Sequence, residues 1–285
     1  MSTLDYKIDF AVVLSVKKAN PNGDPLNGNR PRQNYDGYGE ISDVAIKRKI
    51  RNRLQDMGES IFVQSNDRNV DSLKSLRERA ESNLELGKMF KSKEISSDQF
   101  AEVACNEWID VRSFGQVFAF KGAKTGVSVG VRGPVSIHTA TSVDPIDITS
   151  MQITKSVNSE PGKDKGADTM GMKHRVDFGL YVFYGSINTQ LAEKTGFTHE
   201  DAGKMKQALI TLFENDASAA RPDGSMEVNK VFWWKHNSKL GQYSSAKVHR
   251  LVDIQRTVDE PKSFEDYVVT VKELDGLKAE VFDGQ

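Results

Sequence analysis

The sequence predicts an α+β fold of ferredoxin-like (RRM-like) order, and three observations predict it. Its strongest elements run strand, helix, strand, strand, helix, strand along the chain. Residues 8–17 (IDFAVVLSVK) are an apolar, β-branched run of the kind that makes a buried strand. Two segments with helical apolar stripes, 42–57 and 198–214, each stand between strand segments.

The elements follow in order. After the first strand, residues 20–39 (NPNGDPLNGNRPRQNYDGYG) are dense in Asn, Gly and Pro and read as a loop. Ser42 then caps a helix over 42–57, Asp43 suits its first turn, Gly58 stops it, and Ile46, Ile50 and Leu54 form its stripe. Residues 70–90 and 97–109 read as two further helices in a mostly helical insertion outside the core. Strand character returns at 127–137, broken by Gly133 and Pro134, and again at 148–157. Residues 158–172 have no large apolar side chain before Met170 and read as a mobile loop or hairpin tip. A strong strand spans 176–187, and Thr198 with Asp201 makes a capping box for the helix over 198–214. Strands at 228–235 and 247–256 follow, and the tail, 261–285, reads as a short strand pair.

Composition bounds the function. The 285 residues carry 39 Lys and Arg against 40 Asp and Glu, a net charge of −1, so any polyanion site must come from local concentration of basic side chains. Cys105 is the only cysteine, which rules out an intramolecular disulfide and a cysteine-based zinc cluster. No run of about 18 apolar residues is present to span a membrane as a helix. The polar, acidic start MSTLDYKID lacks the pattern of a signal peptide, and the expectation is a soluble cytoplasmic protein.

Enzyme constellations are sought and not found, so no catalytic residue, metal or cofactor is expected. The histidines at 138, 174, 199, 236 and 249 are scattered, and His199-Glu200 lacks the second histidine of a zincin motif. Lys124-Thr125 lacks the glycine spacing of a P-loop. The Asn20-to-Asp24 stretch places Pro25 where a calcium loop needs Gly. Asp24 and Asp36 stand in the loop either as turn residues bonding their own backbone or as acids available for chemistry.

The sharpest positive signal is Lys47-Arg48-Lys49-Ile50-Arg51-Asn52-Arg53, five cations in seven positions, with no acid between 44 and 54. Lys47 and Arg51 lie one turn apart on one face, and Arg48 is beside them, a spacing of about 6 Å that suits neighbouring phosphates. Arg30 and Arg32 add charge from the loop, and Arg132 stands between Gly130 and Gly133-Pro134 in a bulged strand or a sheet corner. The competing reading is an ordinary solvated helix face. Trp233 and Trp234 are a candidate stacking pair, with at least one expected in the core because adjacent strand residues face opposite sides. Met170 and Met172 read either as loop anchors or as an apolar wedge between bases.

Four segments in order then carry a family resemblance: NPNGDP after the first strand, ISDVAIKRKIRN, GVRGPVSI and TMGMKHRVDFGLYVFYGSIN. Together they resemble the Csd2/Csh2 branch of the RAMP superfamily, the CRISPR Cascade backbone subunits, and most of all the subtype I-C member. The resemblance runs from residue 5 to about 257, strong in the core segments and weak over 59–110. It implies a right-hand shape: an RRM-like palm (1–58 and 126–260), a helical finger insertion (59–125), a thumb hairpin (about 156–176) and a C-terminal tail (261–285).

The resemblance further implies a non-enzymatic subunit that lines up in copies along a guide RNA, grips its phosphates without reading sequence, and leaves segments to pair with target DNA. Its implied partners are the guide RNA, target DNA, further copies of itself and the large, small and guide-processing Cascade subunits. Lys47, Arg48 and Arg51 match the phosphate-binding helix with Ser42 at its start, and Met170 and Met172 fall near the thumb tip. Relatives that cut RNA with an aspartate after the first strand leave a ribonuclease using Asp24 or Asp36 as the alternative. A ferredoxin-like oligomerisation module without nucleic acid is the third.

Overall fold

The computed structural model describes residues 2–90, 96–120, 127–154 and 170–285. The chain opens with β1 (Ile8–Ala19). The Asn/Gly-rich loop holds a two-residue pair, β2 (Gly23–Asp24) and β3 (Arg30–Pro31), before β4 (Tyr38–Ile41) and helix α1 (Asp43–Asp56). The insertion supplies α2 (Leu76–Ser82), α3 (Leu84–Met89), α4 (Ser97–Glu107), α5 (Ile109–Phe114), β5 (Gly115–Phe120) and β6 (Val127–Arg132). Three short strands, β7 (Val135–Ile137), β8 (Ala140–Pro145) and β9 (Ile148–Thr154), lead to the 18-residue β10 (Met170–Ile187). Then come α6 (Thr189–Thr195), α7 (His199–Ile210), β11 (Met226–Lys235), α8 (Ser245–His249), β12 (Val252–Arg256), β13 (Tyr267–Val271) and β14 (Ala279–Asp283).

The main sheet is antiparallel and runs β14-β11-β1-β10-β8-β4, with β7 and β9 also on β10. β1 pairs along one edge of β10, from Ile8 opposite Ile187 to Ala19 opposite Val176. β7, β8 and β9 lie end to end along its other edge, and the final pairing, Ile148–Thr154 with Met170–Val176, projects as a two-stranded ribbon with mostly exposed side chains.

Both faces of this sheet are covered, which is why β1 reads as continuously apolar. Phe10, Val12, Leu14 and Val16 face α1 and α7, packing with Ile46, Ile50, Leu54, Met205 and Leu209. Ala11 and Val13 face the other way, into a layer built from Val248, Leu251, Tyr267 and Leu277. β11 alternates likewise: Trp233 belongs to the first core and Trp234 to the second. Both indoles are buried. Neither is available to stack a base, so the stacking alternative for this pair is excluded.

The insertion has a separate core around Phe62, Phe100, Phe118 and Trp108, with the Phe62 ring 4.7 Å from Trp108 and 5.1 Å from Phe118. Val127–Arg132, grouped by sequence with the palm, pairs with β5, and its Val129 joins this second core.

Several element readings shift for local reasons. The helix expected over 70–90 is two short helices, because Asn83 is extended (φ −66°, ψ 129°) and its side chain caps α3 by accepting from the amides of Glu85 and Leu86. The helix over 97–109 divides at Trp108, also extended. Residues 245–249 are helical rather than strand, with Val248 buried under the sheet. The tail strands do not pair with each other: β13 joins β12, and β14 joins β11 at the sheet edge. Thr198 and Asp201 form the expected capping box, and Ser42 caps α1.

Candidate nucleic-acid interface

The start of α1 is built by the loop before it. Ser42 Oγ accepts from the Ala45 amide at 3.3 Å, while the Ser42 amide and hydroxyl both donate to Asn22 Oδ1 at 2.9 Å. Asn22 thus ties the NPNGDP turn to the helix, and the Asn/Gly-rich segment is an ordered loop. Asn20 Nδ2 donates to the Asn29 carbonyl at 2.7 Å, and Gln33 Nε2 donates to the Ile146 carbonyl at 2.9 Å.

The five cations of α1 have distinct fates. Lys47 Nζ lies 2.9 Å from Asp43 one turn back, a half-exposed pair of small energetic weight. Lys49 is buried, ion-paired to Asp216 and 5.4 Å over the Phe213 ring. Burial pulls its ammonium down to about 8, against the opposing pull of Asp216. Arg53 Nε donates to Thr211 Oγ1 at 2.6 Å, and its guanidinium also pairs with Glu214. Arg48 Nη1 donates to the Val63 carbonyl at 2.7 Å. Arg51 Nε donates to Asp110 Oδ2 at 2.9 Å and its guanidinium stacks 5.0 Å from the Phe114 ring. The run free of acids in sequence is therefore supplied with acids in space, from Asp110 in the insertion and Asp216 and Glu214 after α7. That corrects the premise that Lys47, Arg48 and Arg51 form a bare basic edge.

Asp110 is a hub that sequence reasoning missed. It is fully buried and accepts from Arg51 Nε and from the amides of Phe62 (2.7 Å) and Val63 (3.1 Å). Two residues on, Arg112 reaches Asp201, the capping residue of α7, through two bonds of 2.9 and 2.8 Å. One short helix, α5, thereby fixes the insertion to both α1 and α7. No sequence signal announces this, since the partners are 59 and 89 residues apart.

Arg30 Nη1 donates to Ser150 Oγ at 2.9 Å, and His174 Nδ1 is 2.8 Å from the same hydroxyl, which joins the loop to the root of the ribbon. Arg32 lies 3.7 Å from Asp24, whose Oδ1 also accepts from the Leu26 amide at 3.2 Å. Asp24 is thus a turn residue. Asp36 is exposed in a turn whose amide donates to Asn34 Oδ1 at 3.0 Å. Further charge gathers at the ribbon root, where Lys18, Arg175 and Thr149 converge on Asp177.

Arg132 stands elsewhere. It is exposed and lines a cleft of about 740 Å³ between α4, β6 and α6, together with Asp98, Glu102, Glu193 and Lys194. None of that lining comes from α1 or the 20–39 loop. Met170 and Met172 are 60% and 55% exposed and share one face of the ribbon, opposite Thr154 and Gln152. The rest of the expected thumb, 155–169, and the Gly122-to-Gly126 segment lie outside the described residues.

Two of the scattered histidines, His236 and His249, are buried on either side of the Asp9 carboxylate. His236 Nε2 is 2.8 Å from Asp9 Oδ2, and its Nδ1 accepts from the Gln242 amide at 2.9 Å, which assigns the neutral ring with its proton on Nε2. His249 Nε2 is 3.0 Å from the Gly185 carbonyl. Among the described residues, no group of three or more His, Cys, Asp or Glu side chains is placed to hold a metal ion. No helix among them is long and apolar enough to cross a membrane.

Fold and site together define a mixed α+β protein on a central antiparallel sheet, with a separately cored insertion bolted to its first helix and a projecting ribbon. The chain belongs to the family described as CRISPR-associated protein Cas7, whose family model matches residues 6–272. A curated relative, "CRISPR-associated protein Cas7" of Haloferax volcanii, is 24% identical over 291 aligned positions, covering 96% of this chain and 83% of the relative. Among solved structures, a chain of a "CRISPR RNA-guided surveillance complex, pre-nicking" is similar at TM-score 0.47 and 16% identity, covering 80% of this chain and 78% of that one. A chain of a "CRISPR RNA-guided surveillance complex" is similar at TM-score 0.44 and 16% identity, covering 80% and 68%.

Proposed function

We propose that this chain is a non-enzymatic backbone subunit of a Cascade complex, of the subtype I-C kind, that assembles in copies along a guide RNA and holds its phosphates. The observation that carries this reading is the geometry of α1. Its apolar stripe is locked into the sheet, and Arg48 and Arg51 are each pinned along one edge, leaving other guanidinium donors without protein partners among the described residues. Lys47 extends the row toward the capped helix start, where Ser42 and the Asn22 turn stand. Membership of a CRISPR-associated family supports the same reading.

On this reading the main sheet is an RRM-like palm, the second core a finger, and the ribbon the base of a thumb whose Met170 and Met172 wedge between bases. Arg30 and Arg32 reach the RNA from the loop, and Arg132, in its separate cleft, serves a neighbouring part of the path. Sequence recognition is left to pairing of guide with target DNA. A near-neutral chain suits copies packed side by side, which strong positive charge would oppose.

The test is RNA-dependent assembly. Purified protein mixed with single-stranded RNA should form multi-copy particles by sizing and electron microscopy, with affinity falling steeply as salt rises. Lys47→Glu with Arg30→Ala should weaken binding and flatten the salt slope while leaving the melting temperature near wild type. Protein free of RNA that never assembles on it at low salt would sink the reading. Cleavage of complementary RNA in the presence of divalent metal, lost on Asp24→Ala or Asp36→Ala, would replace it with the ribonuclease alternative.

A further inference from the structure

We propose that Asp110 and Phe114 are positioning residues for a phosphate seat made by Arg48 and Arg51 together, so that the insertion itself aims the guanidiniums of the first helix. The inference rests on the proposed RNA-binding function and deepens it by naming what orients the grip. Arg48 and Arg51 stand three residues apart on one face of α1, so their guanidiniums are neighbours. Like charges held side by side repel, and these two are also partly removed from water: burial first, then Arg51, pulls the Arg48 guanidinium down from its usual range. Such a pair is stabilised by an anion between the two groups.

The anions already present are committed. Asp110 divides its two oxygens among Arg51 Nε and two backbone amides. Asp67 exerts a field on Arg48 but forms no hydrogen bond with it. Among the described residues, what remains open is the outer edge of each fork. Toward the described residues Arg51 donates through Nε, leaving both Nη groups, and Arg48 through Nη1, leaving Nε and Nη2. Four donor groups on two planar cations match the oxygens of one phosphate diester of an extended RNA strand.

Orientation comes from the insertion. Asp110 fixes the Arg51 plane through Nε, and the Phe114 ring lies 5.0 Å from that guanidinium and sets its tilt. The Val63 carbonyl, whose own residue is anchored by its amide to Asp110, fixes Arg48. A single carboxylate thus orders both cations, and seating of the insertion and of the phosphate become mutually reinforcing.

The experiment measures binding of an oligouridine probe by full-length protein across a salt series. Arg51→Ala should lower affinity and reduce the salt slope by about 0.7, the share of one phosphate contact on a single strand. Phe114→Leu and Asp110→Asn should lower affinity about tenfold with the slope unchanged, since the charge stays but its aim is lost. Arg51→Lys should behave like them, because charge without the fork does not restore the seat. Circular dichroism confirms that each variant is folded; if Asp110→Asn is not, Phe114→Leu decides. Folded Phe114→Leu protein that binds as wild type overturns the positioning role, as does Arg51→Ala with an unaltered slope. Wild-type protein that binds no oligouridine at low salt overturns the proposed function, and this assignment with it.

Discussion

Arg51 of the first helix donates its Nε to Asp110 of the insertion at 2.9 Å, and that carboxylate is fully buried. The pair joins two hydrophobic cores, beside the Arg48 bond to the Val63 carbonyl and the Arg112 pair with Asp201. Removing Asp110 leaves a partly buried guanidinium and two backbone amides unpaired. Asp110→Ala is expected to cost about 3–5 kcal/mol, the range for breaking one side of a buried pair, read by denaturant unfolding. A loss under about 1 kcal/mol would show that Arg51 and the amides are served by water.

Lys49 makes the stability pH-dependent. Its ammonium is pulled down to about 8 in the fold, against 10.5 for the free group. The folded state therefore releases this proton first, and between these two values the unfolded state binds more protons. Stability from this group rises with pH across that window, by about 3 kcal/mol at 1.36 kcal/mol per pH unit. Lys204, Lys235 and Lys239 are shifted upward by their carboxylate partners and act in the opposite sense. Comparison with Lys49→Met isolates the effect: wild type should gain on the variant as pH rises from 8 to 10, and a constant difference would refute it.

All three tryptophans, Trp108, Trp233 and Trp234, are buried. Intrinsic fluorescence should be blue-shifted and poorly quenched by acrylamide. RNA added to saturation should leave the emission spectrum unchanged. Strong quenching by RNA would mean that bases reach a sheet face that Leu251 and Tyr267 cover.

Gly133 and Gly130 should respond differently to alanine. A Cβ on Gly133 would stand 2.3 Å from the Ser113 carbonyl oxygen and 2.5 Å from the Gly115 amide nitrogen, backbone that cannot move aside cheaply. A Cβ on Gly130 meets nothing within 4 Å. Gly133→Ala is expected to lose about 1–3 kcal/mol and Gly130→Ala less than about 0.5, measured as thermal or denaturant midpoints. Equal midpoints would contradict the close approach of Gly133 to the end of α5 and the start of β5.

Periodicity and caps made much of the main sheet and its two covering helices legible. The stripe Ile46, Ile50, Leu54, the Ser42 cap and the Thr198–Asp201 box are local patterns, and each occupies its expected place. The continuous apolar run of β1 also told that it is a buried strand. Trp233 and Trp234 followed from alternation in part: opposite faces were legible, but not that the C-terminal segment 245–277 buries the second face.

The sequence by itself determined the main strands β1, β10 and β11, the helices α1 and α7, the placing of a basic run on the first helix and the resemblance to a CRISPR-associated family. Those depend on neighbours within a few residues, where spacing dictates which side chains share a face. Only the tertiary structure decided what the cations of that run meet. Lys49 is drawn inside to Asp216, Arg53 is held near Glu214, and Arg51 is turned toward Asp110. A count of acids along the helix cannot see carboxylates brought in from 59 to 167 residues away, yet at 3 Å and out of water these outweigh any neighbour in sequence.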